Sequence, residues 1–422
     1  MKRRINQLMV MMAALCTLGM ASCSTHVYDE DKYQEIVKYL SPVDSVDQRH
    51  DWRLTEYGSY RFTVNAGVNI DRVQVYSANP LTDANAELMN QVFVTNEQTV
   101  SMAVSRPKIL REMYAALADS LGNMYVTPFS ATQTYVDFSN ATKGVAVGRL
   151  QPQTFTYLYE ENFPEPGDYD YNDLVMRISL LRTGRKEVTV NVTVAAVGAE
   201  RQMAGAIRLV GFRYQDIDSI KTTTGETFND GVPDGSLYVF DNMDILTKGR
   251  NNEAVINLFV DAHWAINYKV EVDYGLFKRY KYNVSLEHST DTQLKSMQTI
   301  SYVVYFNKED GLNNLTLDMI DPFICYIYNT GYWEAHQFMY CDAQTLYNYP
   351  LPEVKDLPWA MVVPMRNFAH PLEGEEIGFK KEGFMFGAYM TEGYSFGEWA
   401  ENYKAYHDWY KYPTSGLVFN LW

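Results

Sequence analysis

The sequence predicts an all-β protein built from two successive modules. Three observations carry that prediction. Short runs of alternating apolar and polar residues recur along the chain, as at 60–65 (Tyr-Arg-Phe-Thr-Val-Asn) and at 187–197, where Val188, Val190, Val192 and Val194 share one face. Aromatic residues make up 14% of the chain, with 33 Tyr, a composition that suits pleated, half-buried surfaces. Gly, Pro, Asn and Asp clusters interrupt these runs at short intervals, and only residues 396–404 carry a clear helical pattern.

The N-terminus reads as an address rather than as part of the fold. Met1-Lys2-Arg3-Arg4 is basic, residues 8–20 are mostly apolar, and Met20-Ala21-Ser22-Cys23 resembles a bacterial lipobox, with small residues ahead of a cysteine. The apolar stretch is too short and wrongly flanked for a spanning helix. Residues 1–22 are therefore expected to be a lipoprotein signal peptide and Cys23 the lipidated residue, a membrane anchor at the outer membrane of a bacterial envelope. The other reading is an ordinary secretory peptide with Cys23 incidental. Several acyl chains, at about 0.8 kcal/mol per buried CH2, would hold firmly. Losing the three positive charges of residues 1–22 takes the formal charge from −16 to −19. Such a surface repels polyanions, so no nucleic-acid partner is expected. Residues 23–48 are polar and acidic, with Asp29-Glu30-Asp31, and read as a tether with a short helical piece at 33–40.

Residues 49–140 form the first expected module. Strand patterns fall at 60–65, 73–76, 92–94, 99–104 and 135–138, and a hairpin is predicted at 114–118 and 124–127 around Asp119-Ser120-Leu121-Gly122-Asn123, although residues 110–117 also fit a helix of period 3.6. Residues 83–90 read as a short helix starting near Asp83. Six or seven short strands over this length suggest a small β-sandwich, similar to fibronectin type III modules. Residues 145–422 form a larger β-sandwich or jelly-roll-like module with few short helices. Its strand patterns lie at 155–159, 174–181, 187–197, 206–212, 236–240, 254–259, 280–286 and 299–306, then on two aromatic segments, 322–328 and 333–340. Cys325 sits on the first of those two and Cys341 directly follows the second. In an oxidising envelope they are candidates for a disulfide, with two buried thiols as the alternative.

The densest chemistry lies at Gly167-Asp168-Tyr169-Asp170-Tyr171-Asn172-Asp173-Leu174-Val175. Like charges crowd together cheaply only around something positive, and hard divalent cations take such oxygen ligands. Asp168, Asp170 and Asn172 copy the first three ligand positions of an EF-hand loop, but Asp173 holds its glycine position and Ser179 its bidentate glutamate position. The expectation is a different calcium loop, closed by Asp173, a backbone carbonyl and Glu160 or Glu161. The alternative is a solvated acidic turn capping a strand. An extended strand would hold positions i and i+2 roughly 6.6 Å apart, so calcium requires the segment to curl, and Pro166-Gly167 is a plausible place for that.

Tyr159-Glu160-Glu161, Pro164 and the motif from Gly167 to Val175 together resemble the signature of LruC-domain proteins. Further pieces follow in the order of that family's Bacteroidota lipoprotein branch. They are 195–199 (Ala-Ala-Val-Gly-Ala), 321–324 (Asp-Pro-Phe-Ile), Glu334-Ala335-His336, Pro358-Trp359-Ala360, His370-Pro371-Leu372-Glu373 and Asp408-Trp409-Tyr410. The resemblance covers residues from about 150 to the end. It implies an outer-membrane or surface lipoprotein and supplies no catalytic residues. One departure is Gln337-Phe338 after His336, where the family continues with a Leu-Pro turn.

Other constellations carry less. Asn229-Asp230-Gly231-Val232-Pro233-Asp234-Gly235 reads as a double turn rather than a calcium repeat. Glu334 and His336 share a strand face, which suits a metal, an acid–base pair or a packed hydrogen-bonded pair. Tyr332, Trp333, Tyr347, Tyr349, Trp399, Trp409 and Trp422 are aromatics for stacking on sugars or for the core. No phosphate loop or serine-nucleophile elbow appears. The expected function is a non-enzymatic envelope lipoprotein with a binding, adhesive or structural role and a glycan or protein ligand. The alternatives are a glycan-active enzyme on a jelly-roll and a fimbria-like subunit assembled by strand exchange.

Overall fold

A computed structural model describes Asp31 and residues 41–95, 97–161, 167–199, 201–230, 232, 244–265, 270–273, 278–281, 297–328, 331–341 and 357–419. The signal peptide, Cys23, the helical piece at 33–40, the strand at 236–240, Tyr347, Tyr349 and Trp422 lie outside the described residues.

Antiparallel sheets dominate, as the alternating patterns predict. In the N-terminal part, a three-stranded sheet runs in the order Thr99–Pro107, Thr55–Thr63, Tyr135–Val136. A six-stranded sheet runs Thr142–Gly144, Met124–Ser130, Glu112–Ala118, Arg72–Tyr76, Glu87–Phe93, Gln151–Pro152. Their inner faces share one core, with Tyr60 and Phe62 from the first sheet meeting Val73, Val75, Met113 and Phe129 from the second. The predicted hairpin is present, with Ala118 opposite Met124. The helix expected over 83–90 is not. Asp83 instead caps a turn, accepting the amide of Asn85 at 2.8 Å, and Glu87–Phe93 is a strand paired with Arg72–Tyr76. Burial on both faces of that strand overrides its helical propensity.

The larger part pairs a six-stranded sheet, in the order Ile217–Thr222, Thr299–Phe306, Glu187–Ala196, Leu174–Gly184, Thr154–Tyr159, Ala360–Val363, with a five-stranded one, in the order Leu246–Lys248, Glu253–Phe259, Met203–Arg213, Ile320–Tyr328, Gly331–Ala335. Residues 187–194 alternate half-buried and buried, as their valine spacing demands, and 300–306 alternate likewise. Thr154–Tyr159 is buried on both faces. The hydroxyl of Tyr159 donates to the Pro322 carbonyl at 2.7 Å and so ties the two sheets together. The helical pattern at 396–404 is a single helix, Phe396–Glu401, capped by Ser395 and Glu398 in a capping box. No helix among the described residues is long and apolar enough to cross a membrane.

Polar contacts join the two parts. Gln91 Nε2 donates to the Arg182 carbonyl at 2.6 Å, Thr55 Oγ1 to Asp318 at 2.5 Å, and Arg366 Nε to Glu87 at 3.1 Å. A second core of aromatics, with Trp52, Tyr171, Phe368, Tyr389, Phe396, Trp399 and Trp409, gathers residues from both ends of the described chain.

Candidate metal centre

Thr154–Tyr159 and Leu174–Gly184 are antiparallel neighbours, with Tyr159 opposite Leu174. Register therefore brings Glu160 and Glu161, which leave the first strand, beside Asp173, which leads into the second. Between them the backbone curls. Tyr169 and Tyr171 have φ of 57° and 54°. Left-handed backbone at such bulky residues costs on the order of 1–3 kcal/mol each. Burial of both rings in the aromatic core offsets that cost. So do two bonds: Tyr171 donates its hydroxyl to the Pro358 carbonyl at 2.8 Å, and Ile377 donates its amide to the Tyr169 carbonyl at 2.8 Å.

The curl sends the tyrosines inward and gathers the acids between them. One carboxylate oxygen from each of Glu160, Asp168 and Asp170 lies within 4.8 Å of the other two. Oxygens sharing one calcium at 2.3–2.6 Å stand at most about 5 Å apart, so these three satisfy the condition an extended strand fails.

Glu160 is 1% exposed. Its Oε1 accepts the Tyr171 amide at 2.6 Å, while its Oε2, equally buried, has no hydrogen-bond partner among the described residues. Asp170, also 1% exposed, accepts the Asn172 amide at 3.0 Å on Oδ1, and on Oδ2 accepts Asn172 Nδ2 at 2.7 Å and the Gly374 amide at 3.1 Å. Asp168 stands at the exposed mouth. The other two residues expected in the site form its wall. Asn172 braces Asp170 and donates to the Pro371 carbonyl at 3.2 Å, and Asp173 Oδ2 accepts the Glu161 amide at 2.8 Å. Arg201 pairs with Glu161 at 3.4 Å.

Burial raises the pKa of Glu160 well above the usual carboxylate range, and repulsion from Asp173, Asp168 and Asp170 adds to it. Asp170 is raised by burial and by Asp168 and Glu373, and Asp173 by burial and by Glu161 and Asp170. The pocket disfavours bare negative charge and, among the described residues, brings together three carboxylate oxygens, a donor type that suits a hard divalent cation.

Sequence reasoning missed the outer wall. Trp359, Pro358, Pro371, Gly374 and Ile377 all bond the acidic segment or its strand, with the Trp359 carbonyl accepting the Glu160 amide at 3.0 Å. The signal was present as the separate pieces at 358–360 and 370–373, which converge here. Gly198 also donates to the Asn172 and Asp173 carbonyls, at 3.0 Å each.

The pieces at 321–324 and 334–336 converge on a second buried cluster. His336 Nδ1 lies 2.9 Å from Asp321 Oδ2 and its Nε2 3.1 Å from Glu334 Oε2, and Arg208 binds Asp321 at 3.1 Å and Glu253 at 3.0 Å. His336 is 1% exposed and stacks on Phe323 with centroids 4.7 Å apart. It is a packed, hydrogen-bonded group.

Cys325 and Cys341 are thiols, not a disulfide. Cys325 Sγ faces Glu334 Oε1 at 3.9 Å, directly across the Ile320–Tyr328/Gly331–Ala335 ladder, while Cys341 Sγ turns to the His336 and Gln337 carbonyls at 3.7 and 3.6 Å. Burial, with Glu334 beside it, pushes the Cys325 thiol well above its ordinary value. In the native protein under non-reducing conditions, a thiol reagent is expected to modify Cys341 and spare Cys325. Intact mass finding a bridged pair overturns this. Of the aromatics nominated for sugars, Trp399 and Trp409 are fully buried and Tyr332 and Trp333 half-buried. Asp230 accepts from Thr227 within its turn.

Among curated proteins none matches the sequence. A solved structure of a candidate lipoprotein from Bacteroides ovatus is similar over 84% of this chain and 100% of that one, at 15% identity and a TM-score of 0.45. A family model described as Domain of unknown function (DUF4842) matches residues 186–410, from just beyond the acidic segment through every later piece that packs around it or around His336. That match spans more than half of the sequence, and the chain belongs to the DUF4842 family.

Proposed function

We propose that the chain is a cell-envelope lipoprotein of the LruC-domain type, anchored through Cys23, with a non-enzymatic binding or structural role in which calcium fixes the acidic loop. The observation that carries the calcium reading is Glu160 Oε2, a buried carboxylate oxygen without a hydrogen-bond partner among the described residues, beside Asp168 and Asp170. Leaving such an oxygen unmatched costs several kcal/mol, and a cation at that point removes the cost. An all-oxygen set borne on a curled loop suits calcium better than magnesium, which demands near-ideal octahedral geometry. Bound there, calcium would be held by Glu160, Asp168 and Asp170, while Asn172 and the Gly374 amide orient Asp170. The non-enzymatic part is supported by the burial of a histidine paired with carboxylates: His336 is sealed between Asp321 and Glu334 and is 1% exposed. A glycan or a protein is the class of ligand that fits an exported β-rich body.

Calorimetric titration of the chelated protein with calcium chloride tests the reading. One site is expected in the parent and none in Asp170→Ala; no heat from the parent removes the site. The anchor is tested separately. Cys23→Ser is expected to move the protein from the membrane to the soluble fraction, and unchanged partitioning rules out lipidation there.

A further inference from the structure

Phe379–Lys381 and Phe384–Phe386 form a two-stranded hairpin with Phe379 opposite Phe386 and Lys381 opposite Phe384. Its inner face is committed to the body: Lys380 bonds Glu401 at 2.7 Å, against the helix Phe396–Glu401. Its outer face carries Phe379, Phe384 and Phe386, with Lys381 across from Phe384. Phe384 is 65% exposed and Phe386 52%, their centroids lie 6.4 Å apart, and Phe379 stands 5.5 Å from Phe386. Two neighbouring phenylalanines this exposed are costly in water unless something covers them.

The adjoining chain says what that is. The segment from Ser41 to Asp44 is stitched along this same hairpin. Asp44 N donates to the Lys380 carbonyl at 2.9 Å, Lys380 N to the Pro42 carbonyl at 3.2 Å, Lys381 Nζ to the Ser41 carbonyl at 3.2 Å, and Glu382 N to both Asp44 oxygens at 3.0 Å. Eighteen positions separate Ser41 from Cys23, a span that reaches at most about 65 Å fully extended. The aromatic patch thus flanks the point where the anchor chain joins the body. A surface charge of −19 opposes docking by attraction to anionic lipid. Apolar insertion is the remaining drive, and a hairpin already paired internally carries few unsatisfied backbone groups into the interface.

We propose that this hairpin seats the body on the bilayer that holds the Cys23 anchor, with Phe384 and Phe386 in the boundary between headgroups and acyl chains. The inference rests on the anchor reading, and the test separates the two. Lipidated protein carrying Cys341→Ser and Glu382→Cys is spin-labelled at position 382, reconstituted into phosphatidylcholine vesicles and floated on a density gradient. A Leu121→Cys label, at a position 87% exposed on a distant turn, is the water-facing control. Expected is a label at 382 more accessible to oxygen than to a water-soluble nickel chelate, the reverse at 121, and reversion at 382 on adding Phe384→Ser and Phe386→Ser. Floated protein whose 382 label matches the control, or shows dipolar broadening from a second copy, overturns the docking alone. Protein that does not float overturns the anchor and the docking with it.

Discussion

Calcium is expected to raise the melting temperature of the chelated protein, and Glu160→Gln to abolish that rise while making the chelated form more stable than the parent. The two effects are expected to have opposite signs because the same carboxylate would be a ligand with the ion and is a liability without it. With a dissociation constant near ~10⁻⁴ M, as in extracellular calcium modules, 10 mM calcium stabilises by about 2.7 kcal/mol. In the chelated protein, burial and three neighbouring acids oppose the ionised Glu160. Glutamine keeps the shape and still offers an oxygen to the Tyr171 amide, yet adds no charge to the cluster. Asp170→Ala gives a different pattern. It also loses the calcium response, but it strands the Asn172 and Gly374 amides and so destabilises both forms. Asp168→Ala, at the exposed mouth, weakens calcium binding and leaves the chelated protein close to the parent. Melting curves that coincide in chelator and in calcium for the parent remove the site altogether.

Much of the scaffold around this site was legible because β-structure writes itself locally. The valine alternation at 188–194 and the Asp119–Asn123 turn carry their own faces and register. The segment at 83–90 misled because nothing local reports that the chain from Glu87 onward is buried on both sides against Arg72–Tyr76. The acidic cluster could be read from spacing, and Glu160 from its place at the end of the pairing strand. The mechanism of the curl could not. Tyr169 and Tyr171 are poor residues for left-handed backbone, and they adopt it because their rings fill a core assembled from residues such as Trp52, Phe396 and Trp409, far apart in sequence. Glu334 and His336 were visible as a pair on one strand. Asp321 was not, because hairpin register and the Arg208 contact across the next strand decide its place.

That second cluster is expected to weaken the fold on the alkaline side. Burial pushes the His336 pKa down, but Asp321 and Glu334, each hydrogen-bonded to one ring nitrogen, outweigh it and raise the value from 6.5 to about 9. An imidazole whose folded pKa exceeds its unfolded one contributes stability fully below pH 6.5 and loses it as pH climbs through 9. At 1.36 kcal/mol per unit, the loss across that window amounts to about 3 kcal/mol. His50 and His370 act at the opposite end: burial lowers His50 to about 4 and His370 to about 3, so their contribution falls away only as pH drops below 6.5. Urea midpoints should therefore fall between pH 6.5 and 9 in the parent and fall less in His336→Gln, which lacks the imidazole titration while the raised carboxylates of the acidic cluster remain. His336→Ala is harsher. It leaves Asp321 and Glu334 buried with Arg208 as the cation that remains bonded to Asp321, and removing one partner from such a network costs roughly 3–5 kcal/mol. A parent whose midpoint is constant across the window would show that the imidazole is neutral there, and that Asp321 and Glu334 are held by Arg208 and hydrogen bonds alone.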